Sequence, residues 1–399
     1  MDTKNIISKY EKFVAPTYTR LPIILTKGEG SRVWDSEGAE YLDFFPGWAV
    51  SGLGHCHPMV VSAIKKQAGS MLHVSNNYYN LLQGELAAKI VENSFDSKVF
   101  FANSGAEANE AAIKLARRYF QVVKKIDKYE IITMQNSFHG RTLTTITATA
   151  QPKYQQGFAP LPGGFKYVPF NDFKALEAAI TDKTAAIMFE LIQGEGGINV
   201  ADKDYVLKVR KLCNEKDIIL IIDEVQTGIG RTGTMFAFSQ YGIIPDVMTL
   251  AKSLGGGMPI GATVIAKKYS DVLQPGTHAS TFGGSPIVCA AALAVFEAIK
   301  KENLLLNVKK QGDYIKGLFL GLKDKYKLIK ELRGPGLMLG VELNIEGKQI
   351  VRDCMAMGLL INCTHDTVLR IMPPLGVTAK EIDKAIKILD EVFKKTERA

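Results

Sequence analysis

Residues 218–228, with the sequence IILIIDEVQTG, place Asp223 directly after a run of aliphatic side chains. Residues 247–257, with the sequence VMTLAKSLGGG, place Lys252 after a second apolar run and just before a cluster of glycines. Runs of this length and β-branched content are typical of strands buried inside a parallel sheet. Ligands bind beyond the carboxyl ends of such strands, so we expect Asp223 and Lys252 to face one site.

Strand-like and helix-like segments alternate on both sides of these two runs. Alternation of this kind predicts an α/β fold in which helices wrap a mostly parallel sheet. The further strands that we predict are 99–102, 131–134, 185–189 and 262–266, and the predicted helices include 107–121 and 205–215.

The pattern divides the chain into three parts. Residues 1–50 contain a hairpin-like pattern at 32–44 and form a predicted N-terminal arm that packs with the small domain. Residues 51–285 carry the alternating pattern and form a predicted large domain, which holds the site. Residues 286–399 contain two long helical patterns, two strand patterns and a terminal helix, so we predict a smaller C-terminal α+β domain.

The composition excludes several classes of protein. The 399 residues are 46% hydrophobic and 23% charged, which is an ordinary globular balance. The formal net charge is +8, but basic and acidic residues are interspersed, so we expect no nucleic-acid partner. The cysteines form no Cys-x-x-Cys pair, and no segment has the pattern of a signal peptide or a membrane helix. We therefore predict reduced thiols, a cytoplasmic location and no membrane partner.

Ser104 and Gly105 stand between a predicted strand and a predicted helix. Ser104 and Glu107 have the spacing of a capping box, which by itself indicates only the start of a helix. Unpaired N–H groups at a helix start also attract anions, and a glycine lets the anion approach closely. The turn is therefore either an ordinary helix start or a cradle for a phosphate group.

Phe138 and Arg141 follow another predicted strand, in the sequence FHGRT. An aromatic ring at this place can stack on a flat cofactor, and a guanidinium group can hold a substrate carboxylate through two parallel hydrogen bonds. The alternatives are core packing for Phe138 and a surface ion pair for Arg141.

An aspartate and a lysine at two strand ends are the pair that pyridoxal 5'-phosphate (PLP) chemistry requires. A carboxylate keeps the pyridine nitrogen protonated, and the protonated ring withdraws electrons from the carbon that loses its proton. The lysine holds the cofactor as an imine and, once displaced, carries protons as a free amine. We predict these roles for Asp223 and Lys252; the alternative for Lys252 is an ordinary surface residue after a strand.

Two other patterns suggest different chemistry. Residues 228–233, GIGRTG, fit the G-x-G-x-x-G dinucleotide pattern, but residues 224–227 separate them from the strand end that the fingerprint should follow at once. We therefore interpret the stretch as a glycine-rich loop with an accidental match, and an NAD-dependent oxidoreductase is the alternative from a different class. The sequence His55-Cys56-His57 has no second ligand cluster, so we expect a turn and no metal site.

Motifs spread over nearly the whole chain carry a resemblance to a known family. They are NSGAEANE at 103–110, FHGRT at 138–142, QGEGG at 193–197, DEVQTGIGRTG at 223–233, AKSLGGGMPIGA at 251–262 and STFGG at 280–284. With these motifs the chain resembles the class III aminotransferases, which are PLP enzymes of fold type I. The resemblance implies a large domain with a mostly parallel seven-stranded sheet and a smaller α+β domain.

The resemblance also implies a set of cofactor contacts. Lys252 and Asp223 would be the catalytic residues, Phe138 would stack on the ring, and Gln226 would approach the ring hydroxyl. Thr281 would reach a phosphate in the partner subunit, which implies a homodimer with shared active sites. The full set of implied cofactor-binding residues is Ser104, Gly105, Ala106, Phe138, Asp223, Val225, Gln226, Lys252 and Thr281.

The substrate contacts implied by the resemblance come from Arg141, Ser280 and a Glu195–Arg370 pair. Glu195 would mask Arg370 for the amine donor and release it for 2-oxoglutarate. The implied reaction moves the distal amine of N2-acetyl-L-ornithine to 2-oxoglutarate and gives N-acetyl-L-glutamate 5-semialdehyde and L-glutamate. Ornithine, succinylornithine and succinyldiaminopimelate are alternative donors, whereas the Arg141 and Arg370 pair argues against an intramolecular aminomutase.

Overall fold

A computed structural model of the protein describes residues 3–398. The terminal positions Met1, Asp2 and Ala399, which belong to the predicted arm and small domain, lie outside this range. The largest sheet has seven strands, and all but one of them point in the same direction. The predicted α/β class with a mostly parallel seven-stranded sheet is therefore confirmed.

The central strands of this sheet are buried on both faces, as their unbroken apolar sequence predicts. Along residues 219–222, Leu220 and Ile222 pack into one hydrophobic cluster, and Ile219 and Ile221 pack into another on the opposite face. The strands in chain order are β1 (Leu25–Glu29), β2 (Arg32–Asp35), β3 (Glu40–Asp43), β4 (Ser97–Ala102), β5 (Glu130–Met134), β6 (Phe165–Val168), β7 (Thr184–Phe189), β8 (Ile192–Gln193), β9 (Asn199–Val200), β10 (Ile219–Asp223), β11 (Val247–Leu250), β12 (Gly261–Ala266), β13 (Ile329–Arg333), β14 (Leu339–Leu343), β15 (Leu359–Leu360), β16 (Asn362–Thr364) and β17 (Val368–Ile371).

The order of strands in the large sheet is β4-β12-β11-β10-β7-β5-β6. Strand β12 is antiparallel to both of its neighbours, and the other strands run parallel to one another. The carboxyl ends of β4, β5, β7, β10 and β11 therefore meet the start of β12 at one edge. In an open sheet of this kind, that edge is where a ligand site is expected.

The helices largely agree with the sequence prediction, with differences at their ends. The helix predicted from residue 107 begins earlier, at Gly105, and a π-helical turn at Tyr119–Lys124 follows it. The helices are α1 (Thr3–Phe13), α2 (Pro58–Ala68), α3 (Leu81–Glu92), α4 (Gly105–Arg118), α5 (Leu143–Ala148), α6 (Pro152–Gln155), α7 (Phe173–Ala179), α8 (Lys203–Lys216), α9 (Pro286–Lys301), α10 (Leu304–Lys325), α11 (Lys348–Ala356) and α12 (Ala379–Thr396). None of the helices within residues 3–398 combines the length and the apolar character that crossing a membrane requires.

Two smaller sheets, β1-β2-β3-β15 and β13-β14-β17-β16, lie outside the large one. The predicted hairpin is confirmed as the antiparallel pair β2 and β3. Strand β3 also pairs in parallel with β15, which joins the N-terminal strands to the C-terminal part of the chain. Helix α9 packs against α2 and α3 of the preceding segment. The division into domains at residues 50 and 285 stays a prediction.

Candidate active site

The loops after β4, β5, β7, β10 and β11 and the turn before β12 enclose a cavity of about 500 Å³ at the predicted edge of the sheet. The topology thus brings together residues that are far apart in the sequence. The predicted site residues that line this cavity are Ser104, Gly105, Ala106, Phe138, Arg141, Glu195, Asp223, Val225, Gln226 and Lys252.

Asp223 ends β10 and is buried at the cavity. Its Oδ2 accepts hydrogen bonds from Asn109 Nδ2 and from His139 Nδ1, each at 2.8 Å. Its Oδ1 accepts a hydrogen bond from the Val225 N–H at 3.0 Å. These donors fix the orientation of the carboxylate, and its remaining lone pairs can accept a further donor. The protonated nitrogen of a pyridine ring is a donor of this kind.

Several buried polar atoms around Asp223 have no hydrogen-bond partner among residues 3–398. They are both amide atoms of Gln226, Nε2 of His139 and Oδ1 of Asn109. A buried polar group without a partner is costly, so each such group in a folded protein needs an explanation. Gln226 and its neighbours line the cavity, and a bound molecule with polar ring substituents would supply the missing partners. The residues present therefore fit PLP.

Helix α4 has a side-chain cap at its start. Ser104 Oγ accepts a hydrogen bond from the Glu107 N–H at 3.2 Å, which is one half of the predicted capping box. The Glu107 carboxylate accepts from the Asn103 N–H at 2.6 Å and not from the Ser104 N–H. The helix start that this spacing indicates is therefore present, and the Glu107 carboxylate reaches one residue further back along the chain than it does in a reciprocal capping box.

Gly105 and Ala106 form the first turn of α4 at the cavity wall. The N–H groups of a first turn have no acceptor within their own helix, and the helix dipole is positive there. A Cβ atom at Gly105 would lie 2.9 Å from the Val225 side chain, so the close approach of these two loops requires glycine. The turn has the free donors, the charge and the space that a phosphate group needs.

Lys252 follows β11 with a left-handed backbone φ of 43°, an uncommon conformation for a residue with a side chain. Burial lowers the pKa of its amine, although the carboxylates of Glu195 and Asp223 act in the opposite direction. A lowered pKa increases the neutral fraction of the amine, which is its nucleophilic form. The next residue, Ser253, donates a hydrogen bond from Oγ to the Ala49 carbonyl at 2.8 Å and holds this turn in place.

Glu190 follows β7 and is a buried carboxyl group in the cavity wall that the sequence analysis did not identify. Its Oε2 accepts from the Phe138 N–H at 3.0 Å, and its Oε1 accepts from the Gly194 N–H at 3.1 Å. Burial raises the pKa of Glu190 to about 7, and the nearby His139 and these hydrogen bonds offset the effect only in part. Glu190 therefore connects the loop that carries Phe138 to the loop that carries Glu195.

Arg370 on β17 is 1% exposed and forms an ion pair with Glu195, with 2.6 Å between Nη1 and Oε1. Asn362 Oδ1 accepts from Arg370 Nε at 2.8 Å and from Nη2 at 2.6 Å, and the Gly194 carbonyl accepts from Nη1 at 3.2 Å. The guanidinium carbon lies 4.5 Å from the centre of the Phe45 ring. Burial is the largest single influence on Glu195 and by itself would raise its pKa. The charge and the hydrogen bond of Arg370, together with the charges of Lys252 and Lys153, outweigh burial and hold that pKa below its ordinary value.

Arg141 has different surroundings from Arg370. It is exposed at the cavity wall, and within residues 3–398 its guanidinium has no ion pair and no hydrogen bond to another residue. Its guanidinium carbon lies 3.9 Å from the centre of the Tyr154 ring and 5.6 Å from that of Phe138. The surface ion pair that we considered as an alternative is therefore not formed, and the hydrogen-bond donors of Arg141 face a cavity.

Ser280 and Thr281 lie beside the cavity and do not line it. Ser280 Oγ accepts hydrogen bonds from Asn103 Nδ2 and from the Gly283 N–H, both at 3.1 Å. Thr281 is exposed, with its side chain on the outside of the subunit. Arg370 is likewise outside the lining and reaches the cavity through Glu195. These residues of the predicted site are therefore brought near it, but not into direct contact with its interior.

Asn109, His139 and Glu190 are site residues that sequence reasoning missed. Asn109 lies one helical turn after Gly105 on α4, so the helical period places both on one face, and this signal was available. The position of His139 between Phe138 and Arg141 gives no indication that its ring turns toward Asp223. The role of His139 depends on a contact between the loop after β5 and the end of β10, and only the folded chain shows this contact.

The glycine pattern at residues 228–233 does not have the context of a dinucleotide fingerprint. It lies in a long turn after β10, and the next regular element is a short 3-10 helix at Ala237–Tyr241. A fingerprint should open an α-helix whose first turn binds the pyrophosphate. The prediction that the match is accidental agrees with this geometry.

Comparison with known proteins agrees with the architecture of the site. Residues 13–393 match the aminotransferase class-III family. The acetylornithine aminotransferase of Caldanaerobacter subterraneus subsp. tengcongensis is 56% identical over 97% of this chain and 99% of its own length. The crystal structure of the ornithine aminotransferase of Toxoplasma gondii ME49 has a TM-score of 0.96 at 35% identity, covering 100% of this chain and 96% of that chain. The acetylornithine aminotransferase of Elizabethkingia anophelis has a TM-score of 0.89 at 33% identity, covering 99% of this chain and 100% of that chain.

The chain belongs to the class III aminotransferase family. It is a PLP-dependent aminotransferase of fold type I, as the sequence resemblance predicted. An NAD-dependent oxidoreductase is no longer an alternative. The two enzymes of known structure are named for different amine donors, ornithine and acetylornithine. Similarity of overall fold therefore does not show which of the two donors an enzyme uses.

Proposed function

We propose that this enzyme transfers the distal amine of N2-acetyl-L-ornithine to 2-oxoglutarate, with N-acetyl-L-glutamate 5-semialdehyde and L-glutamate as products. This reaction belongs to arginine biosynthesis. Relatives that carry the name acetylornithine aminotransferase support the choice of donor, because two of them are 56% and 55% identical over nearly the whole chain. The observation that carries the proposal is the presence of two differently partnered guanidinium groups beside a half-buried lysine and a buried aspartate.

The two arginines suit a pocket that must accept two unlike substrates. Arg141 has free donors and can hold the carboxylate of either substrate by two parallel hydrogen bonds. Arg370 is neutralised by Glu195, so an amine donor that lacks a second carboxylate meets no unpaired charge there. 2-Oxoglutarate brings a second carboxylate, which can replace Glu195 as the partner of Arg370. The proposed role of Glu195 is therefore to cover and uncover Arg370 in the two half-reactions.

PLP supplies an aldehyde that accepts the amino group and a ring that withdraws electrons during proton loss. We assign to Lys252 the attachment of the cofactor and the transfer of a proton between two carbons. Asp223, held by Asn109 and His139, would keep the pyridine nitrogen protonated. Gln226 would donate to the ring hydroxyl.

The wall residues of the cavity complete the proposed cofactor site. The first turn of α4, at Ser104, Gly105 and Ala106, would hold the phosphate. Phe138 and Val225 would contact the ring, and both line the cavity. Ser280, which is tied to Asn103, would contact the substrate.

We also propose a homodimer with shared active sites. The surface beside Thr281 is apolar, with Leu72, Tyr78, Tyr79 and Phe282 exposed. Hydrogen bonds from Asn76 to the carbonyls of residues 280 and 283 join the segment 72–79 and the segment 280–283 into one patch. Exposed apolar patches of this kind are typical of subunit interfaces. Thr281, at the edge of the patch, would then reach the phosphate of the partner's cofactor.

The donor is tested by steady-state kinetics with acetylornithine, ornithine and succinylornithine, each with 2-oxoglutarate as acceptor. We expect the highest kcat/KM for acetylornithine. A higher value for ornithine would overturn the donor assignment and leave the class of enzyme unchanged. Formation of L-glutamate in equal amount to the semialdehyde checks that the reaction is transamination.

The roles of Lys252 and Asp223 are tested by substitution to alanine. Lys252→Ala should abolish transamination and still bind PLP reversibly, because the phosphate cradle and Asp223 remain. Asp223→Ala should weaken both PLP binding and proton loss. Unchanged turnover in either variant would contradict the assigned role. Borohydride should remove the yellow colour of the native enzyme and fix the cofactor on Lys252.

The shared site is tested by mixing two inactive variants. A Thr281→Ala subunit would keep its own Lys252, and a Lys252→Ala subunit would supply an intact Thr281 to it. Mixed dimers should therefore recover part of the PLP affinity and activity that the Thr281→Ala homodimer loses. Sedimentation of the native enzyme as a monomer would contradict the dimer proposal. A mixture of the two variants that recovers neither PLP affinity nor activity would contradict it as well. The cytoplasmic location stays a prediction.

A further inference from the structure

We propose that Tyr154 is a positioning residue for Arg141, whose guanidinium its ring holds at the cavity wall in readiness for a substrate carboxylate. The proposal rests on the carboxylate-binding role of Arg141 in the proposed function. Tyr154 is not in the cavity lining and would not touch the reacting atoms. It would act only through the arginine.

The aromatic contact is the closest interaction that holds the Arg141 guanidinium. The guanidinium carbon lies 3.9 Å from the centre of the Tyr154 ring, the shortest separation among the cation–ring contacts of residues 3–398. The Phe138 ring is farther from the cation, at 5.6 Å, and meets the Tyr154 ring edge-on with 6.0 Å between centres. Tyr154 is therefore the main surface on which Arg141 rests.

Tyr154 belongs to the short helix α6. Gln151, just before the helix, bonds to the loop after β5, and Gln155, at its end, bonds to the residue that follows α5. Gln151 is buried, and its Nε2 donates to the Ser137 carbonyl at 2.9 Å, next to Phe138. Gln155 Nε2 donates to the Thr149 carbonyl at 3.0 Å. The ring is thus attached to the same segment that carries Arg141, so the two side chains keep one relative position.

An aromatic ring suits this task better than a carboxylate would. A ring attracts a cation through its face and does not use up the guanidinium N–H donors in strong hydrogen bonds. An Asp or Glu at the same place would pair with Arg141 and compete with the substrate, as Glu195 does at Arg370. Tyr154 therefore reduces the freedom of a long side chain and leaves its donors available for a carboxylate.

The experiment is a double-mutant cycle between Tyr154→Leu and Arg141→Leu, measured with acetylornithine and with 2-oxoglutarate. Tyr154→Leu keeps an apolar side chain and removes the ring face, so KM for both carboxylate substrates should rise about two- to fivefold. The visible spectrum and the affinity for PLP should not change. In the Arg141→Leu background, Tyr154→Leu should change neither KM further, because the interaction it removes is already absent.

Two control variants separate this role from a general effect on folding. Tyr154→Phe keeps the ring, so it should have wild-type KM values. Phe165→Leu removes the ring beneath Arg117, a cation–ring pair at 5.2 Å outside the cavity, and should leave both KM values unchanged.

Additive effects of Tyr154→Leu and Arg141→Leu, or an unchanged KM in Tyr154→Leu, would overturn the proposal. A failure of Tyr154→Phe to match the wild type would also overturn it, because the ring alone would then be insufficient. Failure of the proposed function has a different signature, since the wild-type enzyme would then not react with acetylornithine at all.

Discussion

Arg141 lines the cavity and Arg370 lies just behind its wall. Both contact aromatic rings, but Arg141 is exposed whereas Arg370 is buried among hydrogen-bond acceptors. Arg370 meets a carboxylate, an amide oxygen and a backbone carbonyl, whereas Arg141 has no such partner among residues 3–398. A buried guanidinium must have its charge and donors satisfied, because leaving them unpaired away from water costs several kcal/mol. The exposed guanidinium of Arg141 is solvated by water, so its surroundings need only to keep it in position.

This difference bears on how one pocket can treat two substrates. A guanidinium without a competing carboxylate binds the same group in every substrate that enters. A guanidinium with a built-in carboxylate partner responds only to a substrate that can replace that partner. We therefore propose that Arg141 serves both half-reactions and that Arg370 serves mainly the one with 2-oxoglutarate.

The largest effect is expected from Arg370→Met. Removing one member of a buried charge pair costs about 2–5 kcal/mol, so kcat/KM for 2-oxoglutarate should fall by roughly thirtyfold or more. The rate with acetylornithine should fall much less. Single-turnover measurements of each half-reaction check this difference. Arg333→Met is a matched control, since Arg333 pairs with Glu342 and contacts the Gly197 carbonyl outside the cavity. Equal losses in both half-reactions would remove the distinction between the two arginines.

A smaller and symmetrical loss is expected from Arg141→Lys. Lysine keeps the charge but cannot form two parallel hydrogen bonds, and a charged hydrogen bond contributes about 1.5–3 kcal/mol. We expect kcat/KM to fall roughly tenfold or more for both substrates, mostly through KM. The measurement is steady-state kinetics with each substrate varied in turn. A loss confined to 2-oxoglutarate would mean that Arg141 does not serve the donor.

Glu195→Ala should change the balance between the two half-reactions. Without the carboxylate, Arg370 stays uncovered, so 2-oxoglutarate should bind more tightly and acetylornithine less tightly. We expect the ratio of the two kcat/KM values to shift by about tenfold, which corresponds to roughly 1.4 kcal/mol. An unchanged ratio would refute the covering role of Glu195.

The smallest expected effect is on the pH dependence of thermal stability. The pKa of Glu195 is held below its ordinary value of 4.5, because the charge and hydrogen bond of Arg370 and the nearby lysine charges together outweigh the effect of burial. A carboxyl whose pKa is lower in the folded state adds stability above the unfolded value, and this stability is lost as the pH falls through the folded value. The difference in Tm between wild type and Glu195→Ala should therefore be constant above about pH 5.5 and shrink in more acidic buffer. Thermal unfolding across that range is the measurement. A difference that changes between pH 6 and pH 8 would show that the pair titrates near neutrality.

The sequence predicted the residues at the strand ends of the site better than the contacts between its loops. Asp223 ends one buried strand and Lys252 follows another. Parallel strands deliver their carboxyl ends to one edge, so the meeting of these two residues follows from local pattern and topology. The start of α4 was likewise readable from Ser104 and Gly105. The bond from the Asn103 N–H to the Glu107 carboxylate, by contrast, is evident only in the folded chain.

The residues that hold the site in position could not be predicted in this way. His139, Glu190 and Tyr154 act through contacts between loops, and no period or spacing in the sequence records such contacts. The left-handed conformation of Lys252 is a further example. Nothing in the local sequence favours it, and the packing of the turn against Ala49 stabilises it.

The sequence by itself determined the class of fold, the positions of the catalytic pair and the family, because apolar periodicity and strand ends are local properties of the chain. The tertiary structure decided which charges are paired and which are free. Arg141 and Arg370 are the same residue type, and both follow or lie in strand-like segments. Both contact aromatic rings, but only the folded chain places a carboxylate beside Arg370 and none beside Arg141, because burial and neighbouring groups depend on segments distant in sequence.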